Sequence, residues 1–102
     1  MPFVRILALA DLPPGQLIQA EVNDKAYAVC NYEGAVYAID GICPHAHGPL
    51  GCGALNGRSI TCPWHMWGFD CVTGQSDVSA NVQLATFPVK IEDGDIHIDV
   101  PL

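Results

Sequence analysis

Residues 85–100 read Ala85-Thr86-Phe87-Pro88-Val89-Lys90-Ile91-Glu92-Asp93-Gly94-Asp95-Ile96-His97-Ile98-Asp99-Val100. Side chains alternate apolar and polar on both sides of Glu92-Asp93-Gly94-Asp95, a turn sequence. A strand presents successive side chains to opposite faces, so this pattern predicts two half-buried strands, 85–91 and 96–100, joined in a hairpin. The same grammar runs outward to the other end of the chain. Phe3 to Leu7 opens a strand, and Asp11-Leu12-Pro13-Pro14-Gly15 ends it, because proline cannot donate to a ladder. Gln16 to Glu21 and Tyr27 to Asn31 form a hairpin around Asn23-Asp24, and Ala35 to Asp40 follows the turn at Glu33-Gly34. Short strands with frequent turns predict an all-β fold, an antiparallel β-sandwich or small barrel. At 102 residues, the expectation is a single domain over 1–102.

Composition narrows the classes of function. Half the residues are apolar and 15% charged, as in a folded chain. Four Lys/Arg against eleven Asp/Glu give a net charge of −7, the wrong sign for nucleic-acid binding. An acidic surface suits docking to a basic patch on a partner protein, and it is equally ordinary solubilising charge. The apolar stretch after Arg5 is too short for a membrane helix and lacks a cleavage site, so a cytoplasmic protein is expected. Five cysteines, an odd number, do not form a disulfide framework, and their clustering with histidine points to metal or redox chemistry.

The cluster lies in the middle of the chain, where strand alternation fades except at Arg58 to Cys62. Seven Cys and His residues fall between Cys43 and Cys71, within a stretch rich in glycine and proline. Two motifs stand out, Cys43-Pro44-His45 and Cys62-Pro63-Trp64-His65, with sixteen residues between His45 and Cys62. Each supplies one thiolate and one imidazole. Zinc accepts two Cys and two His, but zinc fingers usually pair like with like. Blue copper, with Met66 as a candidate axial ligand, leaves the second cysteine without a role. A [2Fe–2S] cluster with two Cys on one iron and two His on the other fits the mixed motifs best, with zinc as the alternative.

Here the chain resembles the Rieske family, whose pattern is Cys-X-His followed by Cys-X-X-His. The tract His65-Met66-Trp67-Gly68-Phe69-Asp70, with Val72-Thr73-Gly74, is also similar to the family's segment after the second motif. The length and strand pattern resemble the small Rieske ferredoxins that feed aromatic-ring dioxygenases and some diiron monooxygenases. The resemblance implies a Rieske-like fold with a cluster-binding loop subdomain, about residues 41–74, inserted between strands. It implies one Rieske-type [2Fe–2S] cluster held by Cys43, His45, Cys62 and His65. Since the protein fills all four positions, none is left open for a substrate, and an electron carrier rather than an enzyme is expected. The implied partners are a flavin-dependent ferredoxin reductase using NAD(P)H and a terminal oxygenase, met by transient docking of a monomer. Two alternatives stand beside this: a small Rieske subunit of a nitrite-reductase-like enzyme, and a zinc-bound or metal-free interaction module.

Departures from the family pattern carry expectations too. Where respiratory-type Rieske proteins have a loop disulfide, this chain has Gly48 and Trp64, and where they have hydrogen-bonding Ser and Tyr, it has Trp67 and Phe69. Fewer donors to the cluster sulfurs imply a low reduction potential. Trp64, Met66, Trp67 and Phe69 are expected to shield the cluster from water. Between Gly41 and Phe69 there is no Asp or Glu, and Arg58 is the sole fixed charge, so an uncharged tip would be cheap to desolvate. His47 is expected on the surface near the cluster, His97 as a plain strand residue, Cys30 as a small core residue, and Cys52 and Cys71 as packing residues.

Overall fold

The computed structural model describes residues 3–41, 52–62, 67–77 and 82–100. Ten strands follow in chain order: β1 (Phe3–Ala8), β2 (Leu17–Val22), β3 (Lys25–Tyr32), β4 (Ala35–Asp40), β5 (Ala54–Asn56), β6 (Ser59–Thr61), β7 (Gly68–Asp70), β8 (Thr86–Phe87), β9 (Val89–Glu92) and β10 (Asp95–Asp99). They form three open antiparallel sheets, and no sheet closes into a barrel among the described residues. The terminal sheet has the order β1-β10-β9, the central sheet β2-β3-β4-β8 and the hairpin sheet β5-β6-β7.

The period-two pattern of the central sheet explains how these sheets stack. Tyr27 and Val29 on β3 and Ala38 on β4 pack with Ile96 and Ile98 of the terminal sheet. Their alternates, Ala28, Cys30 and Ile39, pack with Ile60 and Phe69 of the hairpin sheet. Strand β3 is therefore covered on both faces, and Tyr27 through Asn31 are all buried. Asn31 is the polar exception, and it is satisfied: its amide donates to Leu12 C=O (2.8 Å) and its carbonyl accepts from Gly34 N–H (2.9 Å).

One expected strand divides. Residues 85–91 break at Pro88, so that β8 pairs with β4 while β9 pairs with β10 in a different sheet. Proline has no N–H for either ladder, but its carbonyl still accepts from Asp99 N–H at 3.0 Å. Pro88 is thus the corner where the chain passes from the central to the terminal sheet. The middle of the chain departs further from expectation. Within it, β5, β6 and β7 make a sheet of their own, inserted between β4 and β8.

Candidate metal centre

Strands β6 and β7 pair Ser59 with Asp70, Ile60 with Phe69 and Thr61 with Gly68, which makes them a hairpin whose tip begins at Cys62 and Trp67. Cys62 N–H donates to Trp67 C=O at 2.7 Å and closes that tip. Ile60 and Phe69 are neighbours across the hairpin, and both are wholly buried against the central sheet. This apolar pair seats the hairpin, and the residue after β6 follows it inward. Cys62 is 0% exposed and lies in the same core as Phe69, Cys30 and Cys71. The indole of Trp67 lies 6.5 Å from the Phe69 ring, centroid to centroid, and is half-buried against that core. A soft sulfur donor is thereby held in a site from which carbon excludes water.

Cys62 is the one residue of the expected ligand set within the described residues. Cys43, His45 and His65 lie outside them, as do His47, Gly48, Trp64 and Met66. The chain enters the first motif from Gly41, whose N–H donates to Ala26 C=O at 3.0 Å. A Cβ there would stand 2.7 Å from Ala26 C and Tyr27 N, so β3 and the start of this segment approach as closely as glycine permits.

Cys30 is a core residue, and Cys71 packs beside it. Cys52 does not pack: it is exposed, its Sγ 3.6 Å from Gln19 Oε1, because it sits at the rim where the hairpin sheet begins. His97 is a strand residue, paired with Arg5 on one side and Lys90 on the other. Arg58, the sole fixed charge between Gly41 and Phe69, is matched by Asp70 at 2.9 Å. Sequence reasoning missed two carboxylates. Asp70 also accepts from Val72 N–H (2.8 Å) and Thr73 N–H (3.2 Å), shaping the turn after β7. Asp77 accepts from Gly68 N–H. An Asp placed two residues before a turn was a usable signal for the first, whereas nothing local marks the second.

The Rieske [2Fe-2S] domain family matches residues 3–88. The ferredoxin component of the naphthalene 1,2-dioxygenase system of Pseudomonas putida is 36% identical over 101 residues, which cover 96% of this chain and 95% of that one. The Sphingomonas yanoikuyae B1 ferredoxin superposes with a TM-score of 0.88 at 32% identity, over 98% of this chain and 100% of its own. A complex of reduced oxygenase and oxidised ferredoxin in carbazole 1,9a-dioxygenase contains a chain that superposes with a TM-score of 0.86 at 28% identity, over 94% and 91% of the two chains. Small subunits of nitrite reductases share the fold at 19% to 20% identity, a likeness of fold alone. The chain belongs to the Rieske [2Fe–2S] domain family. Its cofactor is accordingly a Rieske-type [2Fe–2S] cluster, and like its ferredoxin relatives it is an electron-transfer component and not itself a catalytic enzyme.

Proposed function

We propose that this chain passes single electrons from an NAD(P)H-dependent flavin reductase to a terminal oxygenase, through a cluster held by Cys43, His45, Cys62 and His65. The observation that carries the reading is likeness along nearly the whole chain to ferredoxin components of oxygenase systems. The donor chemistry agrees with it. Two thiolates and two neutral imidazoles are the set that a Rieske cluster requires, one pair on each iron. When bound, the cluster takes up and releases one electron at a time.

The rest is done by the protein. The buried hairpin fixes the Cys62 sulfur, and Phe69 with Trp67 keeps water from that side. The Arg58–Asp70 pair leaves the hairpin sheet without net charge from these two groups, which lowers the cost of desolvating this end against a partner. Acidic residues concentrate elsewhere, at Glu92, Asp93, Asp95 and Asp99 among others, where they steer the approach without entering the contact. The cluster-binding segment is read as about residues 41–74 of one domain spanning 1–102. Cytoplasmic residence is supported by the unbridged thiols Cys30 and Cys71, which suit a reducing compartment. No described helix is long and apolar enough to cross a membrane. A carrier that must dock and leave works as a monomer.

The experiment is purification followed by metal analysis and spectroscopy. Brown protein with two irons and two sulfides per chain, and a reduced-state paramagnetic resonance signal of a His-ligated cluster, is expected. His65→Ala and Cys62→Ser should each abolish it. Colourless protein containing zinc would overturn the ligand assignment. Reconstitution with a reductase and an oxygenase then tests the electron route, and failure to pass electrons to any oxygenase component would refute it.

A further inference from the structure

A further extended segment flanks the β7 edge of the hairpin sheet, outside its three named strands. Residues 75–77 run antiparallel beside β7: Asp70 N–H donates to Gln75 C=O (2.9 Å), Phe69 bridges to Ser76, and Asp77 N–H donates to Gly68 C=O (2.9 Å). A regular ladder would return the last bond from Gly68 N–H to a main-chain carbonyl. Here the Asp77 carboxylate takes that place, accepting from Gly68 N–H at 3.1 Å. Both polar groups of the Gly68 backbone are therefore held by one residue. Gly68 has no side chain for the same reason, since a Cβ would overlap the carboxylate, 2.8 Å from its Cγ.

We propose that Asp77 is a positioning residue for the cluster, clamping the outer strand of the Cys62 hairpin while its charge holds the reduction potential down. Gly68 follows Trp67, whose carbonyl closes the tip on Cys62, so a bond that fixes Gly68 fixes the strand leaving the ligand loop. Gly68 follows His65 by three residues in the sequence, a length of chain that spans at most about 11 Å. Only two acids, Asp70 and Asp77, lie between Gly41 and Ile91. Asp70 is neutralised by Arg58, whereas Asp77 meets no cation among the described residues. A fixed negative charge at this range opposes the arrival of an electron, and salt screens it over a Debye length of about 8–10 Å. The inference rests on the ligand assignment proposed above, as far as the potential is concerned.

Two substitutions separate the clamp from the charge. Asp77→Asn keeps an acceptor oxygen for Gly68 N–H and removes the charge. Asp77→Ala removes both. In the holoprotein, both variants should show a higher midpoint potential at low ionic strength, the difference from wild type shrinking as salt is added. Hydrogen–deuterium exchange of the peptide covering 67–77 should be unchanged in Asp77→Asn and faster by one amide in Asp77→Ala. Cluster half-life at moderate temperature should fall roughly tenfold in Asp77→Ala alone, as expected for loss of one hydrogen-bond acceptor. If Asp77→Ala loses its cluster during purification while Asp77→Asn retains it, the clamp is supported. Loss from both variants overturns the claim that an acceptor atom holds the hairpin, and unchanged exchange in Asp77→Ala does the same. Midpoints equal to wild type at low salt overturn the electrostatic half. Wild-type protein without a cluster would instead sink the ligand assignment, and exchange at Gly68 would still test the clamp.

Discussion

Cys30 on β3 and Cys71 just past β7 lie wholly buried in one core, where the central sheet packs on the hairpin sheet. The neighbouring Cys71 thiol, together with burial, pushes the Cys30 thiol far above its ordinary range. Thiolate is the reactive form, so the raised Cys30 thiol is inert, whereas Cys71, whose pKa is lowered, is protected by its burial alone. Cys52, by contrast, is exposed. Alkylation of the native holoprotein near neutral pH should modify Cys52 and spare Cys30 and Cys71 until denaturant is added. Mass mapping after brief iodoacetamide treatment reads this directly, and labelling of Cys30 at the rate of Cys52 would show that the seam between the sheets is open.

Asp70 predicts an acid-sensitive turn. Burial draws its pKa upward, but the bond from Arg58 and the N–H groups of Val72 and Thr73 outweigh it and hold the carboxyl below its ordinary value. A depressed folded-state pKa gives stability above the unfolded value of about 3.9, lost as pH falls through the folded one. Asp70→Asn should therefore lower the thermal midpoint at pH 7, and the gap to wild type should narrow as pH falls through the depressed folded-state value. Arg58→Ala should lower the midpoint less than Asp70→Asn does, since the guanidinium is half exposed and its charge is screened by water. An equal loss from Asp70→Asn above and below that value would mean that the carboxylate's charge contributes nothing.

Gly41 predicts a steric fault at the entrance to the first motif. Its missing Cβ would meet main-chain atoms of Ala26 and Tyr27, which cannot rotate away as a side-chain end can. Gly41→Ala must push the chain off β3, at a cost of roughly 1–3 kcal/mol. The expected result is a thermal midpoint lower by roughly 5–15 °C, together with iron content below one cluster per chain. Full iron loading at the wild-type midpoint would show that the segment tolerates the shift.

The sheets were legible where alternation and turn chemistry agreed. Ala35–Asp40 appears with its expected bounds, and Asn23, Asp24 and Glu33 take the positive φ that their turns demand. Pro88 was visible in the sequence, yet period two runs straight through it, so the division between two sheets was not. Strands β5 and β7 are three residues each, too short to display a period, and they owe their pairing to burial of Ile60 and Phe69. For the centre, ligand type and spacing were legible because metal chemistry restricts them to few residues. Asp77 was not, since its role comes from a contact nine residues away that composition does not encode.

Trp67 and Phe69 predict the potential. They occupy the positions where the family resemblance implies hydroxyl donors to the cluster, and neither side chain carries one. Phe69 is wholly buried among carbon and sulfur, in the same core as Cys62. Each missing hydrogen bond to sulfur leaves the added electron less stabilised, which lowers the potential. The midpoint should lie toward the bottom of the span of about −150 to +300 mV seen for Rieske centres. Protein-film voltammetry of wild type and of the double variant Trp67→Ser, Phe69→Tyr checks both parts: restoring two hydroxyls should raise the midpoint. A wild-type value well above zero, or a double variant that retains its cluster with no rise, would show that donors from elsewhere in the chain set the potential.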